Sequence, residues 1–96
     1  MDNHIYLINL YDYYCDLLTE KQRRYFEDYY FDNLTLSEIS ENHNISRNAI
    51  HNSLKETIQR LENYEEKLML YKKSQKIKKL IENLDDKLQE EIKELI

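Results

Sequence analysis

Residues 36–50 read Leu36-Ser37-Glu38-Ile39-Ser40-Glu41-Asn42-His43-Asn44-Ile45-Ser46-Arg47-Asn48-Ala49-Ile50, and the order of residue types in this stretch decides the fold. Thr35 just ahead of it and Glu38 form a capping-box pattern, in which the hydroxyl accepts the N3 amide and the carboxylate reaches back. A short helix starts there, with Leu36 and Ile39 facing inward. Asn42-His43-Asn44 interrupts it, and Asn is the non-Gly residue that best tolerates a left-handed backbone. Ser46 is then a favourable N-cap for a second helix whose inner face reads Ile50, Leu54, Ile58 and Leu61. The pattern is helix, three-residue turn, helix, with Ile39, Ile45, Ile50 and Leu54 as its small core. Ala49, the one alanine of the chain, is expected where the two crossing helices approach closely.

Upstream, Leu7, Leu10, Tyr11, Tyr14, Leu17 and Leu18 recur at helical spacing, which predicts a first helix over residues 5–18. Thr19 and Gln22 repeat the capping box and open a helix with the stripe Tyr25, Phe26, Tyr29 and Tyr30. Asp32 and Asn33 supply the side-chain hydrogen bonds that let a chain leave a helix without Gly. Downstream no breaker appears, and the apolar register continues through Tyr64, Leu68 and Tyr71 to Ile77 and Leu80. The expectation is one helix over residues 47–82, roughly 50 Å long at 1.5 Å per residue. Asn83, with Asp86, is expected to cap a last helix carrying Leu84, Leu88, Ile92 and Leu95. Residues 1–62 then form the helix-turn-helix domain and residues 63–96 a helical extension, either part of the same unit or a dimerisation arm.

Composition agrees with an all-α chain of four to six helices. In 96 residues there is no Gly and no Pro, so hairpin turns and the Gly-rich loops of nucleotide sites are excluded. Net charge is −5, which disfavours indiscriminate coating of nucleic acid. Charge is unevenly spread: residues 1–44 hold 3 basic and 9 acidic groups, residues 67–79 hold 6 Lys and no acid, and residues 80–96 hold 2 basic and 6 acidic. Lys, Asn, Ile and Tyr fill 38 positions, a bias that weakens any inference from one Lys or Asn. The lone Cys15, the lack of a membrane-length apolar run and the lack of a basic leader point to a cytoplasmic protein.

Ser46, Arg47, Asn48, His51, Asn52 and Lys55 are the candidate nucleic-acid contacts, because Arg47, Asn48, His51, Asn52 and Lys55 are expected on the face opposite Ile50 and Leu54 and none is acidic. Arg and Asn are frequent readers of guanine and adenine. The alternative is an αα corner whose outer side is merely solvated. Lys67, Lys72, Lys73 and Lys76 form a secondary basic patch suited to phosphate or an acidic protein surface. Part of that Lys run is also spaced to pair with the acidic tail, as at Lys78/Glu82 and Lys87/Glu91. Seven of nine tyrosines precede residue 31, and their stripes with Leu and Phe mark them as core or interface filling rather than base-stacking platforms. His4, His43, His51 and Cys15 lack metal-ligand spacing, and no nucleophile–base–acid set is visible, so no catalysis, metal or cofactor is expected.

Taken with Leu10-Tyr11-Asp12-Tyr13-Tyr14, the run Leu17 to Gln22, Tyr29-Tyr30 and the run Leu61 to Leu68, the quoted block resembles the YlxM family of small Firmicute and mollicute proteins over residues 5–80. The helix-turn-helix part alone is similar to region 4 of bacterial sigma factors, a class related to winged helices but without the wing. The resemblance implies a DNA-binding fold and a regulatory role in the signal recognition particle pathway, exerted through the particle's RNA or its GTPase. Ser46-Arg47-Asn48-Ala49-Ile50 matches the family pattern Ser-Arg-x-Ala-Val, which makes Arg47 the best-supported contact. Asn44 stands where the family commonly has Gly, and the tail departs from the family in being short and free of Pro. Two functions follow: a regulator, expected to be a homodimer, that touches DNA or particle RNA, or a protein-interaction adaptor that keeps the fold without nucleic acid.

Overall fold

A computed structural model describes residues 3–96. Among these residues the order is α1 (His4–Tyr14), a single 3-10 turn (Cys15–Leu17), α2 (Glu20–Tyr30), α3 (Leu36–His43), α4 (Arg47–Leu68), α5 (Leu70–Leu80) and α6 (Asp86–Lys93), with no strand. The all-α expectation holds. α1 ends four residues sooner than its apolar pattern runs. The chain tightens after Tyr14 so that Leu18 becomes extended (φ −94°, ψ 157°) and leads into the Thr19 cap.

Local chemistry starts three helices as read. Thr19 and Gln22 close a full capping box at 3.1 and 3.0 Å, Thr35 and Glu38 another at 3.1 and 2.9 Å, and Ser46 accepts from the Ala49 amide at 3.0 Å. Each cap satisfies amides that would otherwise lack partners, worth about 1 kcal/mol. Asn33 and Asn44 take the left-handed conformation at φ 57° and 54°, doing the work Gly does elsewhere.

α4 is the central member, packed by α1, α2 and α3. One core cluster joins α1, α2 and α4 through Leu7, Leu10, Tyr11, Tyr14, Leu18, Phe26, Tyr30 and Leu61. Tyr11 stacks on Phe26 at 4.5 Å, and Phe26 on Tyr30 at 4.4 Å. The second cluster, Tyr25, Ile39, Ile50 and Leu54, is the interior of the helix-turn-helix, with Ile45 packed against it. Burying each such Leu, Ile or Phe contributes about 1.5–3 kcal/mol, so the two clusters together outweigh any surface pairing. The tyrosines of the amino-terminal half are core filling, as expected.

Three expectations are corrected. The helix predicted over residues 47–82 is two helices: α4 stops at Leu68, Met69 is left-handed at φ 55°, and α5 departs in a new direction. The bend lays α5 against α1, bringing Tyr71 within 5.6 Å of Tyr6, edge to face, and it leaves Leu68 exposed rather than on a continuous seam. The last helix is capped by Asp85, which accepts from the Leu88 amide at 2.9 Å, not by Asn83. Residues 81–84 are taken up by a turn in which Ile81 is buried and its carbonyl accepts from the Leu84 amide. Ala49 is exposed, so it does not mediate a close helix crossing; Ile50 beside it fills that contact.

The arm of α5 and α6 makes the molecule long. Its extents are 52 × 25 × 23 Å and its radius of gyration 16.3 Å, against about 12.5 Å for a compact chain of this length. No described helix is long and apolar enough to cross a membrane.

Candidate nucleic-acid interface

The turn between α3 and α4 is built from its own polar groups. The amides of Asn44 and Ile45 donate to the carbonyls of Glu41 and Ser40 at 3.3 and 3.2 Å, and the Ser40 hydroxyl donates to the Ile45 carbonyl. This is the closure expected of a helix ending in a left-handed residue, and it directs α4 across α3. From α2, Asp28 meets His43 at 2.8 Å, and Tyr25 lies edge-on to the same imidazole at 5.0 Å. The end of α3 is thereby tied to α2, which fixes where α4 begins. Neither tie was legible in the sequence, since His43 read only as part of a helix-breaking triplet.

On this frame α4 presents Arg47, Asn48, His51, Asn52 and Lys55, all exposed, while Ile50 and Leu54 are 0% and 6% exposed. At about 100° per residue the five contacts span an arc of roughly 140°. That arc flanks the buried stripe more than it opposes it, and Arg47 and His51 lie at its near edge. None of the five is held in an ion pair with another described residue. Ser46, the sixth candidate, also caps α4: its hydroxyl oxygen accepts from the Ala49 amide, which leaves its proton free to donate.

Beside this arc runs an apolar hollow. Tyr29, Tyr30, Leu36, Leu54 and Ile58, with His51 and Lys55 at the rim, line a cavity of 230 Å³. Leu36 also borders Ser46, Arg47, Asn48 and His51, so the polar arc and the hollow share one surface. Tyr29 and Leu36 read in the sequence as inner-face residues, yet each is only half-buried. What distinguishes them is their place at helix ends, where a neighbouring helix covers one side only.

Lys67, Lys72, Lys73 and Lys76 are all exposed, but they lie elsewhere. Lys67 is twenty residues along α4 from Arg47, roughly 30 Å at 1.5 Å per residue, and the other three follow the bend on α5. The structure therefore separates the recognition arc from the basic patch. The spacings Lys78/Glu82 and Lys87/Glu91 form no ion pair among the described residues.

Comparison with known proteins agrees with this geometry. Residues 1–96 match the family model UPF0122, whose description is a helix-turn-helix protein, YlxM / p13 like. A UPF0122 protein of Bacillus licheniformis is 48% identical over 75 residues, covering 78% of this chain and 70% of the relative. UPF0122 proteins of Bacillus cereus strain AH187 and Bacillus anthracis strain A0248 are each 45% identical over 82 residues, covering 85% of this chain and 74% of the relative.

Proposed function

Since the chain belongs to the UPF0122 family of YlxM / p13-like helix-turn-helix proteins, we propose that it is a regulatory protein whose recognition helix meets nucleic acid. Ser46, Arg47, Asn48, His51, Asn52 and Lys55 make the contact, on DNA or on the RNA of the signal recognition particle. The setting is the signal recognition particle pathway in the cytoplasm, as the family resemblance implies, and the role is non-enzymatic. One observation carries this reading: residues 47–55 of α4 pack on one side against Ile39 and Tyr25 and present on the other an open arc without a carboxylate, Glu56 following at its end. In a chain of net charge −5 such an arc sets no negative charge of its own against a polyanion. Arg and Asn there suit base edges, and Arg47 and Lys55 suit phosphates.

The apolar hollow at Tyr29, Leu36 and Leu54 favours a second reading, in which the same surface grips a protein of the particle and no nucleic acid. Titration separates the two. Labelled particle RNA and random duplex DNA are each titrated with the wild type, Arg47→Ala, and the triple Lys72→Ala, Lys73→Ala, Lys76→Ala variant. The proposal expects binding of one polymer that Arg47→Ala weakens about tenfold, the magnitude of a lost specific contact. Loss only in the triple variant places the contact on the basic patch of α5 instead. No binding to either polymer leaves the protein adaptor.

A further inference from the structure

The arm beyond Met69 carries an apolar stripe that no other described residue covers fully. α6 buries no side chain, and Leu80, Leu84, Leu88 and Leu95 are exposed at 73%, 39%, 40% and 84%. An eight-residue helix has too few turns to hold itself in water, and most helical stability comes from packing an apolar face. The turn that orients α6 is nevertheless well made: the Gln89 side-chain Nε2 donates to the carbonyls of Glu82 and Leu84 at 2.9 and 2.6 Å. The stripe is thus held out from the core rather than folded onto it.

Charge on the arm identifies what covers the stripe. Residues 67–79 hold six Lys and no acid, while residues 80–96 hold six acids and two Lys. None of these groups is in an ion pair among the described residues. We propose that the arm pairs with the arm of a second copy in antiparallel order, α5 of one protomer along α6 of its partner, with Leu80, Leu84 and Leu88 enclosed between them. A two-fold axis through the turn at residues 81–84 sets Lys72, Lys73 and Lys76 of each protomer against Glu94, Glu91 and Glu90 of its partner, and does so twice. Parallel pairing stacks Lys on Lys and acid on acid. An acidic or a basic foreign helix matches only half of the arm, whereas a second copy matches all of it. The inference shares no residue with the recognition arc; it does share Lys72, Lys73 and Lys76 with the basic patch, so the sedimentation mass of the triple alanine variant is read beside its titration.

Sedimentation of the full chain tests it. The monomer is 11.9 kDa, and the proposal expects twice that mass at tens of micromolar protein, with the dimer weakening as salt screens the charge pairs. Leu84→Glu with Leu88→Glu is expected to give a monomer whose core helices persist by circular dichroism. Lys72→Glu, Lys73→Glu, Lys76→Glu alone, or Glu90→Lys, Glu91→Lys, Glu94→Lys alone, is expected to weaken self-association at least tenfold. All six changes together restore it, and that sixfold variant is expected not to mix with the wild type, because antiparallel pairing then opposes like charges. A mass of 11.9 kDa at every concentration overturns the proposal and leaves the stripe to another protein. Free mixing of the sixfold variant with the wild type overturns the antiparallel order.

Discussion

The Tyr14 hydroxyl donates to Glu65 Oε1 at 2.6 Å, and through that bond the first helix determines where the fourth one stops. Tyr14 also accepts from the Leu70 amide at 3.0 Å, while Glu65 accepts from the amides of Tyr71 and Lys72 at 3.1 and 3.0 Å. Three of the four amides that open a helix without partners are thus satisfied at the start of α5. A carboxylate at a helix N-terminus is favoured by the helix dipole as well. Glu65 is only 8% exposed, and these donors are what make its burial tolerable.

Removing that carboxylate orphans buried donors. Glu65→Ala is expected to cost about 2–4 kcal/mol, since each hydrogen bond to a charged group contributes about 1.5–3 kcal/mol and coupled bonds do not add fully. Glu65→Gln keeps one acceptor and is expected to cost less. Urea denaturation checks the ranking, and hydrogen exchange at the Tyr71 and Lys72 amides checks the cause. If those two amides exchange no faster in Glu65→Ala, the capping role is wrong.

Alkaline stability follows from the same pair. Burial first, and then the hydrogen bond to Glu65, push the Tyr14 hydroxyl up to about 12 from its ordinary 10.0. Its protonated form is the one the fold prefers. Stability from this group is complete below pH 10, the unfolded value, and drains away as pH rises towards 12, because the unfolded chain releases its proton first. Burial also raises the hydroxyl of Tyr11, which donates to Glu27, so the wild type is expected to lose stability steeply in this window. Tyr14→Phe is expected to be less stable than the wild type at pH 8 and to show a shallower loss between pH 10 and 12. Denaturant midpoints at closely spaced pH values test this, and equal slopes in the two proteins would refute it.

Met69 carries a Cβ in a conformation that costs an L-residue about 1–2 kcal/mol. At φ 55° and ψ 31° it sits in the left-handed region, and it is 39% exposed, so only part of its packing is lost with it. Met69→Gly is expected to stabilise the protein by about 1 kcal/mol, part of the relief being offset by the freedom Gly gains in the unfolded chain. A thermal melt reads the sign. A lowered midpoint means that the Met69 side chain packs more than its exposure suggests.

Glu65, Tyr14 and Met69 mark where the sequence stopped being readable. Thr19, Thr35, Ser46 and Asn44 act on atoms within five residues of themselves, so their roles follow from local chemistry and could be read in order. The bend at Met69 depends on Tyr14, fifty-one residues from Glu65, and Met has no turn preference to announce it. The continuous apolar register after Leu61 therefore read as one helix. Asp85 lies two residues from the expected cap, a choice settled by where Ile81 finds cover. The exposure of the proposed arc was legible because helical period alone separates Arg47, Asn48, His51, Asn52 and Lys55 from Ile50 and Leu54. The hollow beside it was not, because Tyr29 and Leu36 look like core until they are seen to stand at the ends of α2 and α3, each only half-buried.

Salt dependence divides the labour within the arc. A cation that neutralises a phosphate releases condensed counterions, so each such contact adds about 0.9 to the slope of log affinity against log salt on duplex DNA, and about 0.7 on single strands. Arg47 and Lys55 are the only full cations among the six contact residues. Lys55→Ala is expected to lower the slope by nearly one and to weaken all sequences alike. Asn48→Ala is expected to leave the slope unchanged while reducing the preference between sequences, the mark of a base-edge contact. Arg47→Ala discriminates between its two uses: a fall in slope with uniform weakening assigns it to phosphate, and a lost preference at constant slope assigns it to a base. If neither Arg47 nor Lys55 alters the slope while the triple α5 variant does, phosphate contact belongs to the arm and the first turns of α4 do not face the polymer.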